Sequence, residues 1–270
     1  MAELTGKRAL VTGASSGIGA AIARILADKG ASLVLTARRK DLLDAVAEEC
    51  RVRGATVDVV VADLGSAGAA DDVWAAAGAI DILVNNAGFG YFRPFGEVEA
   101  ARETELLQLN VTSLVELSRA FVAARKAAEG ASYLLNIASI GAYQSVPNMA
   151  LYTASKVFVR NFTEALHDEL ASTHASATVV CPGGTKTEFH AQAGAGNYSW
   201  IANASMMSAE ECAQKSVRAM LKKKRTYIPG LINKLSCFGV RLVPRWFASW
   251  MARRVLGKPR PGELPQRSAA

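Results

Sequence analysis

The stretch Arg8-Ala9-Leu10-Val11-Thr12-Gly13-Ala14-Ser15-Ser16-Gly17-Ile18-Gly19 decides the fold. Residues 8–12 read as a strand. Residues 18–29 read as a helix, with Ile22, Ile25 and Leu26 on one face and Gly30 as a stop. The corner between them is T-G-x-x-x-G-x-G. Small residues there let backbone approach a pyrophosphate, and the N–H groups and positive end of the following helix favour its charge. Strand–helix corners also carry glycine for packing alone, but the position of this one favours dinucleotide binding. Its candidate contacts are Gly13, Ser15, Ser16, Gly17, Ile18 and Gly19.

Outward from the corner the alternation continues. Strands are predicted at 32–36, 57–62, 80–84, 133–138 and 177–181, with a short seventh at 226–228. Helices are predicted over 42–53, 69–77, 100–128 as one long element, 151–172 and 210–222. Alternating strands and helices imply right-handed crossovers and a parallel sheet covered on both faces. Ligands of such α/β sheets bind outside the carboxyl ends of the strands. Neither a repeat nor a linker divides the chain. Residues 1–230 therefore read as one dinucleotide-binding and catalytic domain, and 231–270 as a basic amphipathic extension.

Composition sets bounds. Half of the 270 residues are hydrophobic and a fifth charged, which excludes intrinsic disorder; 22 Gly and 8 Pro without period exclude a collagen-like chain. Cys50, Cys181, Cys212 and Cys237 form no C-x-x-C pair, which argues against a disulfide framework or a metal site and fits a reducing cytoplasm. The first residues lack the basic and apolar regions of a secretory signal, so none is expected. The most apolar late segment, 235–251, is broken by Arg241, Pro244 and Arg245 and is not expected to span a membrane. Net charge is +7, but residues 222–270 hold twelve Lys or Arg against one acid, Glu263, so the first 221 residues carry −4. The basic character belongs to one surface.

Further candidates lie at strand ends. The second strand closes on Thr36-Ala37-Arg38-Arg39, where a carboxylate would serve a ribose 2′-hydroxyl; a guanidinium instead suits a 2′-phosphate, so NADP is expected over NAD, with Arg38 as main contact and Arg39 beside it. Asp63-Leu64 ends the third strand near the adenine position. Tyr152 and Lys156 stand four apart on one helix, so they share a face. A free tyrosine titrates near ~10, and a neighbouring ammonium favours the phenolate, which suits the phenol to acid–base work. Ser139 follows the fifth strand, Asn85-Asn86-Ala87-Gly88 the fourth, and Pro182-Gly183-Gly184-Thr185-Lys186-Thr187 the sixth, while Asn110 sits mid-helix as a poor helix former.

Together these motifs, over about residues 4–228, resemble the short-chain dehydrogenase/reductase family in its main form of about 250 residues. The resemblance implies a single-domain, doubly wound Rossmann fold with a seven-stranded parallel sheet, and hydride transfer to or from a nicotinamide. It implies that Tyr152 protonates the carbonyl oxygen, that Lys156 binds the nicotinamide ribose and lowers the tyrosine pKa, and that Ser139 bonds the substrate oxygen. Asn110 would hold a water linking Lys156 to solvent, Asn86 would fix the sheet beside the cofactor, and Thr187 would bind the carboxamide, with Ala87, Gly88, Pro182, Gly183 and Thr185 lining the same cofactor site. It also implies a homotetramer or homodimer through the two long helices. Ser16 departs from the pattern, since many NADP-specific members carry a second basic residue there, and the segment 63–80 is short.

The expected substrate is a hydrophobic ketone, aldehyde or secondary alcohol. Residues 188–207 would form its loop, with Phe189, Tyr198, Trp200, Met206 and Met207; Phe89, Tyr91, Phe92, Val146 and Met149 would complete an apolar pocket. In the tail, Leu235, Phe238, Leu242, Trp246, Trp250 and Val255 recur at roughly helical spacing beside Arg241, Arg245, Arg253 and Arg254. An apolar flap over the pocket or a subunit interface and an anionic membrane surface both fit. Nucleic acid is disfavoured, because the aromatics read as buried. Two rival functions remain: a peripheral membrane-associated nucleotide-binding scaffold, and a non-redox enzyme using the same Tyr and Lys on a nucleotide sugar. The paired Tyr and Lys weigh against the first, and the Ser139–Tyr152 spacing with the chain length against the second.

Overall fold

In the computed structural model, which describes residues 3–186 and 206–256, β1 (Arg8–Thr12) pairs in parallel with β2 (Ser32–Ala37) on one side and β4 (Ile82–Asn85) on the other. β3 (Val57–Val61) flanks β2; β5 (Ser132–Ile137), β6 (Ala175–Val180) and β9 (Thr226–Tyr227) extend the sheet beyond β4. The order β3-β2-β1-β4-β5-β6-β9 is parallel throughout, a seven-stranded doubly wound sheet. The winding reverses between β1 and β4, and a crevice opens at their carboxyl ends.

Alternation along the strands sorts two cores. Ala9, Val11, Leu33, Leu35, Ile82 and Val84 face one side, packed with α1 (Gly17–Asp28), α2 (Lys40–Val52) and α7 (Ala209–Leu221). Leu10, Val34 and Leu83 face the other, packed with α3 (Ala69–Ala77), α4 (Ala100–Leu107), α5 (Ser113–Arg125) and α6 (Ala150–Glu169). This period of two, with both sets apolar, is what a sheet buried on both faces requires. α7 starts cleanly because the Ser208 hydroxyl accepts from the Glu211 N–H at 3.0 Å, with two acids in the first turn.

Three features depart from the sequence reading. The single helix expected over 100–128 is interrupted by a π turn, Gln108–Thr112, centred on Asn110. A small parallel pair, β7 (Thr185–Lys186) and β8 (Met207–Ser208), was not foreseen. The tail forms α8 (Leu231–Gly239), a 3₁₀ turn (Val240–Leu242) and α9 (Arg245–Leu256), with Pro244 at the break. Its aromatics Phe238, Trp246 and Trp250 are exposed rather than buried, because the small residues Cys237, Ala248 and Ala252 take the inward positions.

Candidate active site

The glycine loop is a steric cradle. Gly13 has φ +65°, and a Cβ there would stand 2.9 Å from Ala87 Cα. A Cβ on Gly19 would lie 2.3 Å from the Gly13 carbonyl oxygen. Gly19 therefore seats α1 against the loop. Thr12 Oγ1 accepts from the N–H groups of Asn86 and Ala87, both at 3.0 Å, while Asn86 Nδ2 donates to the carbonyls of Thr12 and Gly13 at 3.0 and 3.2 Å. Asn86 thus ties the end of β4 to the end of β1 and to the loop that follows it. Its neighbour Asn85 ties β4 to β5 on the other side, donating to Asn136 Oδ1 at 3.0 Å and Ser118 Oγ at 3.1 Å, and Asn136 in turn donates to Thr163 Oγ1 at 2.8 Å. Ser16 is extended at the N-cap of α1 but its side chain does not cap the helix. The N–H groups of that first turn are left to an anion in the crevice, the arrangement a pyrophosphate needs.

At the far end of the crevice stand the arginines. Arg38 Nη1 approaches Asp63 Oδ2 at 3.8 Å, and Asp63 Oδ1 accepts from the Gly65 N–H at 2.9 Å. Arg39 Nη2 donates to Ser16 Oγ at 2.8 Å, so its guanidinium reaches the position where the sequence lacks a second basic residue. Leu64 is held through its carbonyl, which accepts from Ser113 Oγ at 2.6 Å. Arg102, from α4, also lines this end, 5.3 Å from the Phe89 ring centre. Burial, with Arg38 nearby, lowers its pKa. Sequence reading missed Arg102, which stands in a polar helical segment where arginine is ordinarily solvated.

At the other end Ser139, Tyr152 and Lys156 line one wall. Ser139 Oγ accepts from the Gly141 N–H at 3.0 Å, which leaves its own O–H available to donate. Lys156 is buried; its ammonium donates to the Ile137 carbonyl at 3.0 Å and lies 5.8 Å from the Tyr152 ring centre. Burial pushes its pKa down to about 8. Asn110 lies behind this wall. Its Oδ1 accepts from the Phe89 N–H at 3.1 Å, and its Nδ2 donates to the Phe89 carbonyl at 2.9 Å and to Ser155 Oγ at 3.2 Å. The π turn thus aims an amide that clamps the segment after β4 to the helix bearing Tyr152 and Lys156. π turns commonly occur at such functional points.

The crevice encloses about 830 Å³ and joins both ends. Gly13, Ser15, Ser16, Gly17, Ile18, Asn86, Ala87, Gly88, Pro182, Gly183 and Thr185 line it, as do Phe89, Val146 and Met149. Tyr91 and Phe92 do not. Both are buried, and the Tyr91 hydroxyl bonds Glu103 Oε1 at 3.2 Å on α4, so they pack the core under the pocket. Thr187, Phe189, Tyr198 and Trp200 lie outside the described residues. The tail closes the apolar end: Ile232, Val240, Val243, Phe247, Met251 and Val255 all line the cavity. α8 is seated by Asn233, whose Nδ2 donates to the Pro229 carbonyl at 2.8 Å and whose amide fills the space beside Gly183.

A family model described as short chain dehydrogenase matches residues 7–197. The granaticin polyketide synthase putative ketoacyl reductase 1 of Streptomyces violaceoruber is 39% identical over 184 residues, 66% of this chain and 68% of that protein. A 7β-hydroxysteroid dehydrogenase structure superposes with a TM-score of 0.82 at 25% identity, covering 93% of this chain and 98% of that one. A short-chain dehydrogenase from Sphingobium yanoikuyae in complex with NADPH gives 0.75 at 30% identity, covering 98% of both chains. The family model spans more than half of the chain and the seven-stranded parallel sheet agrees with the structural matches, so the chain belongs to the short-chain dehydrogenase/reductase family of oxidoreductases.

Proposed function

We propose that the protein is an NADP(H)-dependent oxidoreductase interconverting a hydrophobic ketone or aldehyde and the corresponding alcohol. The observation that carries this reading is a single crevice with arginines at one end and Ser139, Tyr152 and Lys156 at the other. The cradle of Gly13 and Gly19 and the uncapped first turn of α1 fit a pyrophosphate; Arg38 and Arg39 fit a 2′-phosphate. When bound there, the dinucleotide supplies or accepts the hydride.

The chain's own groups handle the oxygen and its proton. In the reducing direction Ser139 donates to the carbonyl oxygen and polarises it. Tyr152 gives that oxygen its phenolic proton as the carbonyl carbon is reduced, and the phenolate left behind is stabilised by the Lys156 ammonium. A lysine held near about 8 exchanges its own proton readily, which suits resupply of the phenol. Asn110 is a positioning residue acting through Phe89 and the Tyr152 helix. Phe89, Val146 and Met149, with the inner side of α8 and α9, make the substrate end apolar, which favours an apolar carbonyl compound. Two relatives bear on this: one is named as a ketoacyl reductase, the other as a hydroxysteroid dehydrogenase. Assembly as a dimer or tetramer through α4–α5 and α6 belongs to the same reading.

The test is Tyr152→Phe with a panel of apolar carbonyl compounds and NADPH. Turnover is expected to fall at least ~100-fold while NADPH still quenches protein fluorescence with similar affinity. Undiminished turnover refutes the role of Tyr152, and preference of the unmodified protein for NADH refutes the cofactor assignment.

A further inference from the structure

The outer side of the C-terminal helices is apolar where a protein surface is ordinarily polar. Leu231, Leu235 and Phe238 follow one face of α8, and Leu242, Trp246 and Trp250 continue the exposed row into α9. Leu231, Leu242 and Trp246 keep 71%, 72% and 71% of their areas accessible. The opposite sides are occupied already: Cys237, Ala248 and Ala252 are buried, and the half-buried Phe247 and Val255 roof the crevice. Roofing the crevice explains the inner apolar residues and leaves the outer ones unexplained. A contiguous apolar patch of this kind marks an interaction surface.

Its charge identifies the partner. Residues 222–256 hold nine Lys or Arg and no acid. Lys234, Arg241, Arg245, Arg253 and Arg254 are exposed among the apolar residues, and the Arg254 guanidinium lies 4.8 Å from the Trp250 ring centre. A second copy packed tail against tail would oppose like charges. Nucleic acid would use the cations and the tryptophans but would gain nothing from Leu231, Leu235 and Leu242. An anionic lipid surface uses all three groups: leucine and phenylalanine in the acyl boundary, tryptophan at headgroup level, and arginine on phosphate. None of the described helices is long and apolar enough to cross a bilayer, so attachment through this face is peripheral.

We propose that the outer face of α8 and α9 docks the protein onto an anionic lipid surface, placing the roof of the crevice against the bilayer. This surface does not depend on the redox chemistry of the crevice, and its assay needs no turnover. Full-length protein is floated with phosphatidylcholine vesicles, with and without about one third phosphatidylserine. Binding is expected with the anionic vesicles only, and is expected to weaken as salt rises. Arg241→Glu with Arg245→Glu should lower vesicle affinity by ~25-fold or more, at about fivefold per cation. Leu242→Gln with Trp246→Gln should lower it at least ~10-fold. Circular dichroism confirms that each variant folds, and the salt dependence of the unmodified protein decides the matter if one does not. Failure to float at low salt, equal binding to neutral vesicles, or binding of a single-stranded oligonucleotide in preference to vesicles overturns the proposal. So does a change in sedimentation of either variant with flotation unaltered, which would assign the face to a second copy.

Discussion

Replacing Lys156 with methionine should make the ligand-free protein's stability respond to pH in a specific way. The ammonium is buried, and its pKa falls from 10.5 to about 8 through loss of hydration. That fall corresponds to ~3 kcal/mol of penalty on the folded state at pH 7, where the group is still charged. Between about 8 and 10.5 the unfolded chain keeps the proton that the native chain has released, so native stability rises with pH across that window. By pH 10 most of the penalty, ~2 kcal/mol of it, has gone. Lys156→Met has no such term. Its stability relative to the unmodified protein should therefore decline by ~2 kcal/mol from pH 7 to pH 10. The lost bond to the Ile137 carbonyl shifts both ends of the comparison and largely cancels. Urea unfolding of both proteins at four pH values between those limits measures the difference. A gap that stays constant, or that moves the other way, refutes the view that Lys156 is an ammonium destabilised by burial, and removes the source of its labile proton.

Other consequences concern single contacts. Arg38→Asp should lower NADPH affinity at least ~10-fold and spare NADH, read by fluorescence titration; an unchanged ratio removes Arg38 from the 2′-phosphate site. Gly183→Ala drives a Cβ to 2.5 Å from the Asn233 amide and should unseat α8. Adding Asn233→Ala should recover most of the loss, with a coupling of ~1–3 kcal/mol in a double-mutant cycle of thermal unfolding, and simple additivity would refute the contact. Asn136→Ala leaves the Asn85 amide and the Thr163 hydroxyl short of a partner in the core and should cost ~1–3 kcal/mol, with NADPH affinity unaltered. A loss of affinity instead would tie that network to the crevice.

The sheet was legible because its signals are local. Each strand is a short apolar run, and helices alternate with strands along the chain, so the parallel direction follows from connectivity. The 69–77 helix was read to the residue for the same reason. Tyr152 and Lys156 were legible because four residues on a helix fix a shared face before any tertiary contact is known. The π turn was not. An extra residue in one turn leaves the flanking periodicity intact on both sides, and only the awkward placement of Asn110 hinted at it. Arg39 was legible as a residue but not as a substitute. Its reach to Ser16 depends on two strand ends lying side by side, which no spacing along the chain expresses. Tyr91 was misread because an aromatic beside a pocket motif looks the same in sequence whether it lines the pocket or supports it; the Glu103 carboxylate that settles the matter comes from another element.

The tail shows where such reading stops and why. Helical spacing predicted amphipathic segments, and spacing alone would send the large side chains inward. The structure divides them: Phe247 and Val255 turn toward the cavity, while the fully inward positions of α8 and α9 fall to the small residues Cys237, Ala248 and Ala252. Gly183 belongs to the same logic: with no side chain it leaves room for Asn233, which anchors α8 at the point where the crevice ends. Small residues on one side therefore pushed the leucines and tryptophans to the other. A helix built this way has two apolar faces with different tasks, one closing over a cavity and one open to the outside. Roofing the crevice accounts for the inner face, and only a partner that accepts apolar side chains and cations together accounts for the outer one.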